Sequence, residues 1–254
     1  MRPLISEFSY GYALTEQLVS LNRSRIKVAP VFPSLYKEGK DGYGYDVSIQ
    51  WSSIPVFLQF KLSDYMTGRS NSEEIKQGLF KGSFYRMHLR SRKHSKQHDL
   101  LLELENKKTH VYYVTPLFYK LEELNHYYAN NQILENSTFI TPHSIGMIKD
   151  DDNHHISFQE PGKPFYIFSE PRQLGILPSF QVLFERTNLI REGGYSGDIW
   201  EDTFENMLEI LPNYRIVNEE DIVFLRETIS NKTSIEKLAY LAQAFFYCQL
   251  FIVS

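Results

Sequence analysis

An acid, an amide and a lysine stand out in this chain by type and spacing. Asp46 follows the glycine-rich approach Gly42-Tyr43-Gly44-Tyr45 and opens the run Asp46-Val47-Ser48-Ile49. Gln59 and Lys61 lie two positions apart in Val56-Phe57-Leu58-Gln59-Phe60-Lys61, so an extended chain projects them to one face. Ser52-Ser53 supplies a turn between the two runs, which therefore read as adjacent strands. On a solvated edge strand such a lysine would be ordinary. The flanking Val56, Phe57, Leu58 and Phe60 instead mark a buried strand, where a lysine needs a task. Hydrolysis of a phosphodiester is a task that fits, because it requires charge neutralisation at the phosphate and an activated water, commonly metal-bound. Magnesium takes hard oxygen ligands, keeps several waters and needs only one or two carboxylates. Asp46 offers one carboxylate, and the Gln59 side chain and the Phe60 backbone carbonyl offer further oxygens. Lys61 would hold the attacking water or stabilise the developing charge. A carboxylate from the first helix would complete the site, with Glu7 at the helix start preferred to Glu16.

These residues need a scaffold, and hydrophobic periodicity outlines one. Ser6 to Leu21 reads as a helix with Ser6 as its cap and an apolar face of Ala13, Leu14, Leu18, Val19 and Leu21. A short strand over Ala29 to Leu35 is broken by two prolines, and a glycine-rich loop follows. Strands are expected over Asp46 to Trp51 and Pro55 to Leu62, then an irregular polar stretch over Asp64 to Gly82 with a helical turn near Glu73. Next come a helix over Ser95 to Glu105, a strand over His110 to Leu117 and a helix over Leu121 to Leu134. Ser137 to Ile148 and His155 to Phe168 hold further strands. This order predicts an α/β class, with helices flanking a mixed sheet. Residues 1–170 form the expected core, 171–197 a linker containing Gly193-Gly194-Tyr195-Ser196-Gly197, and 198–254 a helical C-terminal region. Its last helix, Ser234 to Val253, is largely apolar and too short and glutamine-bearing for a membrane span, so it reads as core cover or as a subunit interface.

The helix, the Gly-Tyr-Gly-Tyr-Asp-Val approach and the Leu-Gln-Phe-Lys strand resemble the PD-(D/E)XK nuclease superfamily. They are most similar to the Mrr-like restriction endonucleases, in which a glycine-rich lead into an Asp strand precedes a Q-x-K strand. Asp46, Gln59 and Lys61 match that motif position by position, and the order of elements follows it from about Ser6 to Phe168. Gln59 stands where most of the superfamily carries an acid. The resemblance implies a restriction-endonuclease-like fold and a DNA endonuclease dependent on Mg2+, with Mn2+ as substitute. It also implies work in defence against foreign DNA or in DNA repair.

Charge patterning adds a second feature. The net charge is -4, so the chain is no polycation. Yet Ile75 to His98 contains no acid and carries Lys76, Lys81, Arg86, Arg90, Arg92, Lys93 and Lys96. Such a patch steers a polyanion in an otherwise acidic protein. Arg86, His88 and Arg90 alternate with apolar residues, and Lys81, Arg86, Arg90, Arg92 and Lys93 are the expected phosphate contacts, in a loop facing the substrate. A solvated basic loop would look the same. The single Cys248 rules out an intrachain disulfide and a thiolate zinc cluster, and fits a reducing cytoplasm. His143, His154 and His155 do not have the spacing of a shared metal site, and no P-loop, zinc-finger or helix-turn-helix pattern is present. Two rival readings share these residues: a catalytically silent nucleic-acid-binding module, and an assembly subunit of a larger defence complex docking through its C-terminal helices; in the nuclease reading the same helices would join a homodimer or a partner subunit, allowing both strands to be cut.

Overall fold

The structure is a computed structural model that describes residues 1–21, 54–107, 109–169, 171–181, 185, 199–246 and 248–253. The predicted strands over Ala29 to Leu35 and Asp46 to Trp51, with Asp46 itself, lie outside the described residues. The class is mixed α/β. Eight helices and nine strands are described: α1 (Glu7–Leu21), β1 (Ile54–Phe60), β2 (Ser63–Met66), α2 (Glu73–Lys76), β3 (Phe84–Leu89), α3 (Gln97–Asn106), β4 (His110–Pro116), α4 (Leu121–Ala129), β5 (Ser137–Ile140), α5 (Pro142–Ile145), β6 (His154–Phe158), β7 (Pro164–Phe168), β8 (Arg172–Ile176), α6 (Ile199–Asn213), α7 (Glu219–Thr228), α8 (Ser234–Ala244) and β9 (Gln249–Val253). The strands form two sheets, of order β5-β4-β1-β9 and β2-β3-β6-β7-β8.

Two compact units divide the chain. The first comprises Met1–Leu21, Phe60–Ser95 and Tyr113–Phe184. It contains the whole of the five-stranded antiparallel sheet, in which Arg86 of β3 is opposite Asp64 of β2 on one side and Ser157 of β6 on the other. Its helix α1 begins as the sequence predicts, because the Ser6 hydroxyl accepts the Ser9 backbone N–H (2.9 Å), satisfying one orphan donor of the first turn. Further along α1, the buried Tyr10 packs edge-on against Phe60 and Phe118. Tyr10 also donates its hydroxyl to Ser137 Oγ (2.8 Å). Gly11 lets this packing close up: a Cβ there would stand 3.1 Å from the Phe60 ring. Gln17 fastens the far end by accepting the Leu134 N–H (2.9 Å). Helix α1 is thereby fixed in place, and with it the residues of its first turn.

The second unit comprises Asn22–Gln59, Lys96–Tyr112 and Glu185–Ser254. Here β1 pairs antiparallel with β9, Phe57 opposite Leu250. Helices α7 and α8 open on full capping boxes, Asn218 with Asp221 and Thr233 with Glu236, the latter being the start expected from the sequence.

Several expectations are corrected. The last apolar stretch is not one helix to Val253. It ends at Ala244, and Leu250-Phe251-Ile252-Val253 continues as β9, as its β-branched and aromatic composition favours. Leu238, Leu241, Ala242, Phe246 and Leu250 are buried, which makes this stretch core. Arg172–Ile176, placed in the linker, is strand β8 on β7. The basic stretch from Phe84 is strand β3 rather than a loop, since its alternation has the period of a strand. Ser63–Met66 is a strand within the stretch expected to be irregular. The helix from Leu121 stops at Ala129, and the strand from Ser137 stops at Ile140, before the Pro142 that opens α5. Among the described residues no helix is long and apolar enough to cross a membrane.

Candidate active site

In the first unit the charges of Lys61 and Arg90 both act on the carboxyl of Glu7. Glu7 lies in the first turn of α1, Lys61 directly follows β1, and Arg90 directly follows β3. The Lys61 backbone N–H donates to the Val114 carbonyl of β4 (2.9 Å), which fixes the chain at the point where the lysine leaves it. Burial pushes the Glu7 carboxyl above its ordinary range, and the facing charges of Lys61 and Arg90 draw it only part of the way back. The residue as a whole is nevertheless exposed at the surface. A surface carboxyl that holds its proton more tightly than usual, with two cations acting on it, can exchange a proton beside a bound anion.

Glu16 does not join this group. It lies nine positions further along α1, about 180° around the helix and ~13 Å along it. Its charge acts on Tyr128 of α4 instead. The spacing alone separates the two candidate acids, and Glu7 is the one beside Lys61.

The alternating basic stretch divides its charges among three carboxylates. Arg90 acts on the charge of Glu7. His88 Nε2 stands 3.1 Å from Asp64 Oδ2. Arg86 makes a two-pronged contact with Glu74 of α2, Nε to Oε1 at 3.0 Å and Nη2 to Oε2 at 2.6 Å. Ser157 Oγ donates to the same carboxylate (2.7 Å) and His155 Nε2 lies 3.1 Å from it. Glu74 has no exposed surface although it lies at shallow depth. Burial alone would raise its pKa; the hydrogen bonds from His155, Arg86 and Ser157 overcome that and hold the carboxyl well below the usual range. Burial holds the His155 imidazole below its ordinary value, the stronger influence against the pull of Glu74, and the ring stacks on Phe168. The Arg86 guanidinium, expected on phosphate, is thus engaged inside the protein. Sequence reasoning missed Glu74 because a four-residue polar helix carries no periodic signal that its carboxylate is buried.

Of the remaining expected phosphate contacts, Lys81 and Lys93 are exposed, and Arg92 reaches the Lys149 carbonyl (3.4 Å). Gln59 is buried in β1, and its Oε1 accepts a hydrogen bond from Gln97 Nε2 of α3 (2.6 Å). Magnesium, implied by the resemblance, would need several hard oxygens. Glu7 supplies one carboxylate, the Gln59 oxygen already has a donor, and Asp46 is outside the described residues. Among the described residues no group of three or more His, Cys, Asp or Glu side chains is placed to hold an ion. The described residues therefore do not by themselves make up a metal site. Comparison with family models, with curated proteins and with solved structures finds no match for this chain.

Proposed function

We propose that this chain hydrolyses phosphodiester bonds in nucleic acid, with DNA as the substrate to which the resemblance points. The observation that supports this most is that the charges of Lys61 and Arg90 both act on Glu7, whose carboxyl is pushed up by burial. Two cations acting at one carboxyl would neutralise the charge on a phosphodiester and stabilise the additional charge that develops as water attacks. The carboxylate, with its raised proton affinity, would accept the proton that the attacking water loses. Asp46 is assigned a supporting carboxylate role by the resemblance, and Mg2+ is the cofactor that it implies; the work of Glu7, Lys61 and Arg90 stands on their own positions. Defence against foreign DNA is the setting in which the resemblance places such an enzyme.

A second reading, a binding module without hydrolysis, is favoured by the hydrogen bond that Gln97 makes to the Gln59 oxygen, because it occupies an atom assigned to the metal. Incubating supercoiled plasmid with the protein separates the two. The assay is run with Mg2+, with Mn2+ and with chelator, wild type beside Lys61→Ala and Asp46→Ala. Nicking or linearisation that needs a divalent ion and disappears in both variants supports the nuclease. Retention of DNA in a gel shift without cleavage under any condition supports the binding module.

A further inference from the structure

A second polar site lies in the same unit, away from any role given above. A cavity of about 500 Å³ opens between the loop that follows α5, the turn before β6 and the end of β7. That is within the usual size range for small-molecule sites. Lys149, Arg172, His154 and Ser169 line it, and Asp150 is the one carboxylate among its described lining residues.

The interior is ordered by a chain of hydrogen bonds. His154 has a nearly buried side chain, 8% exposed. Its Nε2 lies 2.7 Å from Asp150 Oδ1 and its Nδ1 lies 3.2 Å from Ser169 Oγ. Asp150 is in turn held by the Asp152 backbone N–H (2.9 Å). Opposite, Arg172 spends one N–H on the Ile145 carbonyl (2.7 Å) at the end of α5. That bond fixes the guanidinium at the rim, while an arginine carries five donors in all. Arg92 brings a further cation to the Lys149 carbonyl and acts on the charge of Asp150.

From this cavity we infer a binding site for a phosphate group, held by Arg172, Lys149 and the Ser169 hydroxyl, with His154 behind the serine. The charge balance selects an anion: two cationic residues, Lys149 and Arg172, line the cavity, whereas the single lining carboxylate, Asp150, is paired with the His154 imidazole. Ser169 Oγ, held 3.2 Å from His154 Nδ1, adds a hydroxyl group that can serve a phosphate oxygen. A planar guanidinium and a lysine are the usual partners of phosphate oxygens. A phosphate monoester could come from a free small molecule or from the end of a polynucleotide. Neither requires phosphodiester hydrolysis by this chain, so the inference is independent of the proposed function.

The test uses the full-length protein and fluorescence anisotropy of one short oligonucleotide made with and without a 5′-phosphate, followed by titration of inorganic phosphate in a calorimeter. The expected result is that the terminal phosphate tightens binding at least about tenfold, about 1.4 kcal/mol. Arg172→Ala and Lys149→Ala should erase that gain and Ser169→Ala reduce it, while Lys232→Met, at an exposed lysine that belongs to neither site, leaves it intact. Binding of inorganic phosphate that is lost in Arg172→Ala, with no effect of the oligonucleotide's phosphate, upholds the site and assigns it to small molecules. No binding of either probe, or a gain that survives Arg172→Ala and Lys149→Ala together in a variant with wild-type melting temperature, overturns it.

Discussion

Replacing Glu74 by Gln removes one negative charge and almost no volume, so it isolates what the carboxylate does for the fold. Glu74 accepts from Arg86 Nε and Nη2 and from Ser157 Oγ at 3.0, 2.6 and 2.7 Å, with His155 Nε2 at 3.1 Å, and has no exposed surface. The amide in its place offers one acceptor oxygen, and its own N–H groups face donors. Removing one partner of a buried ion pair costs about 3–5 kcal/mol. The side chains of Arg86 and His155 keep 20% and 19% of their surface, so water partly compensates them and the low end, ~3 kcal/mol, is expected. For a chain of this size that corresponds to a fall of about 6–12 °C in the melting temperature. Differential scanning calorimetry at neutral pH measures it, with Arg86→Gln and the double variant alongside. The double variant should be destabilised by less than the sum of the two single ones, because each change removes the same contacts. A Glu74→Gln protein melting within ~2 °C of wild type, at about 3 °C per kcal/mol, would refute the idea that this carboxylate holds β3 and β6 to α2.

The other perturbations follow from particular contacts. The Glu74 carboxyl has a folded pKa below its ordinary 4.5, so its contribution is complete above that value and is lost as the pH falls below it. His155 is held below 6.5 and stays neutral in the fold while the unfolded chain protonates, so its contribution is present above 6.5 and fades as the pH drops through and below that value. The melting temperature should therefore start to fall below about pH 6.5 and fall further below about pH 4.5, the second step being absent in Glu74→Gln. Tyr10→Phe deletes the hydroxyl donated to Ser137 and should cost ~1 kcal/mol in a urea melt. Gly11→Ala gains roughly 1 kcal/mol of helix propensity but presses a methyl onto the fully buried Phe60 ring, so a net loss of ~1 kcal/mol is expected, and a stabilised variant would contradict the close packing of α1 there.

What could be read from the sequence was whatever local pattern enforces. The cap at Ser6, the helix it starts, the strand through Gln59 and the strand from His110 carry their own periodicity and are found where expected. Glu7 was identifiable as an acid at a helix start and Lys61 as a lysine within a buried strand, although β1 ends at Phe60, one residue before it. Partnerships made across long distances were not legible. Nothing in the run from Phe84 says that Arg86 meets Glu74 beside Ser157, since that follows from how β3 lies beside β6. The tail misread as helix shows the complementary failure. Its apolar run is compatible with either period, and pairing with β1 decides for the strand.

In the proposed reaction Glu7, rather than Glu16, acts with Lys61. The most direct test is the rate of plasmid cleavage by Glu7→Gln and Glu16→Gln, each at saturating enzyme and with the same divalent ion. Loss of a proton-accepting group should slow Glu7→Gln by about 100-fold or more, with Glu16→Gln within about twofold of wild type. Equal rates in the two variants, or the larger loss in Glu16→Gln, would contradict it.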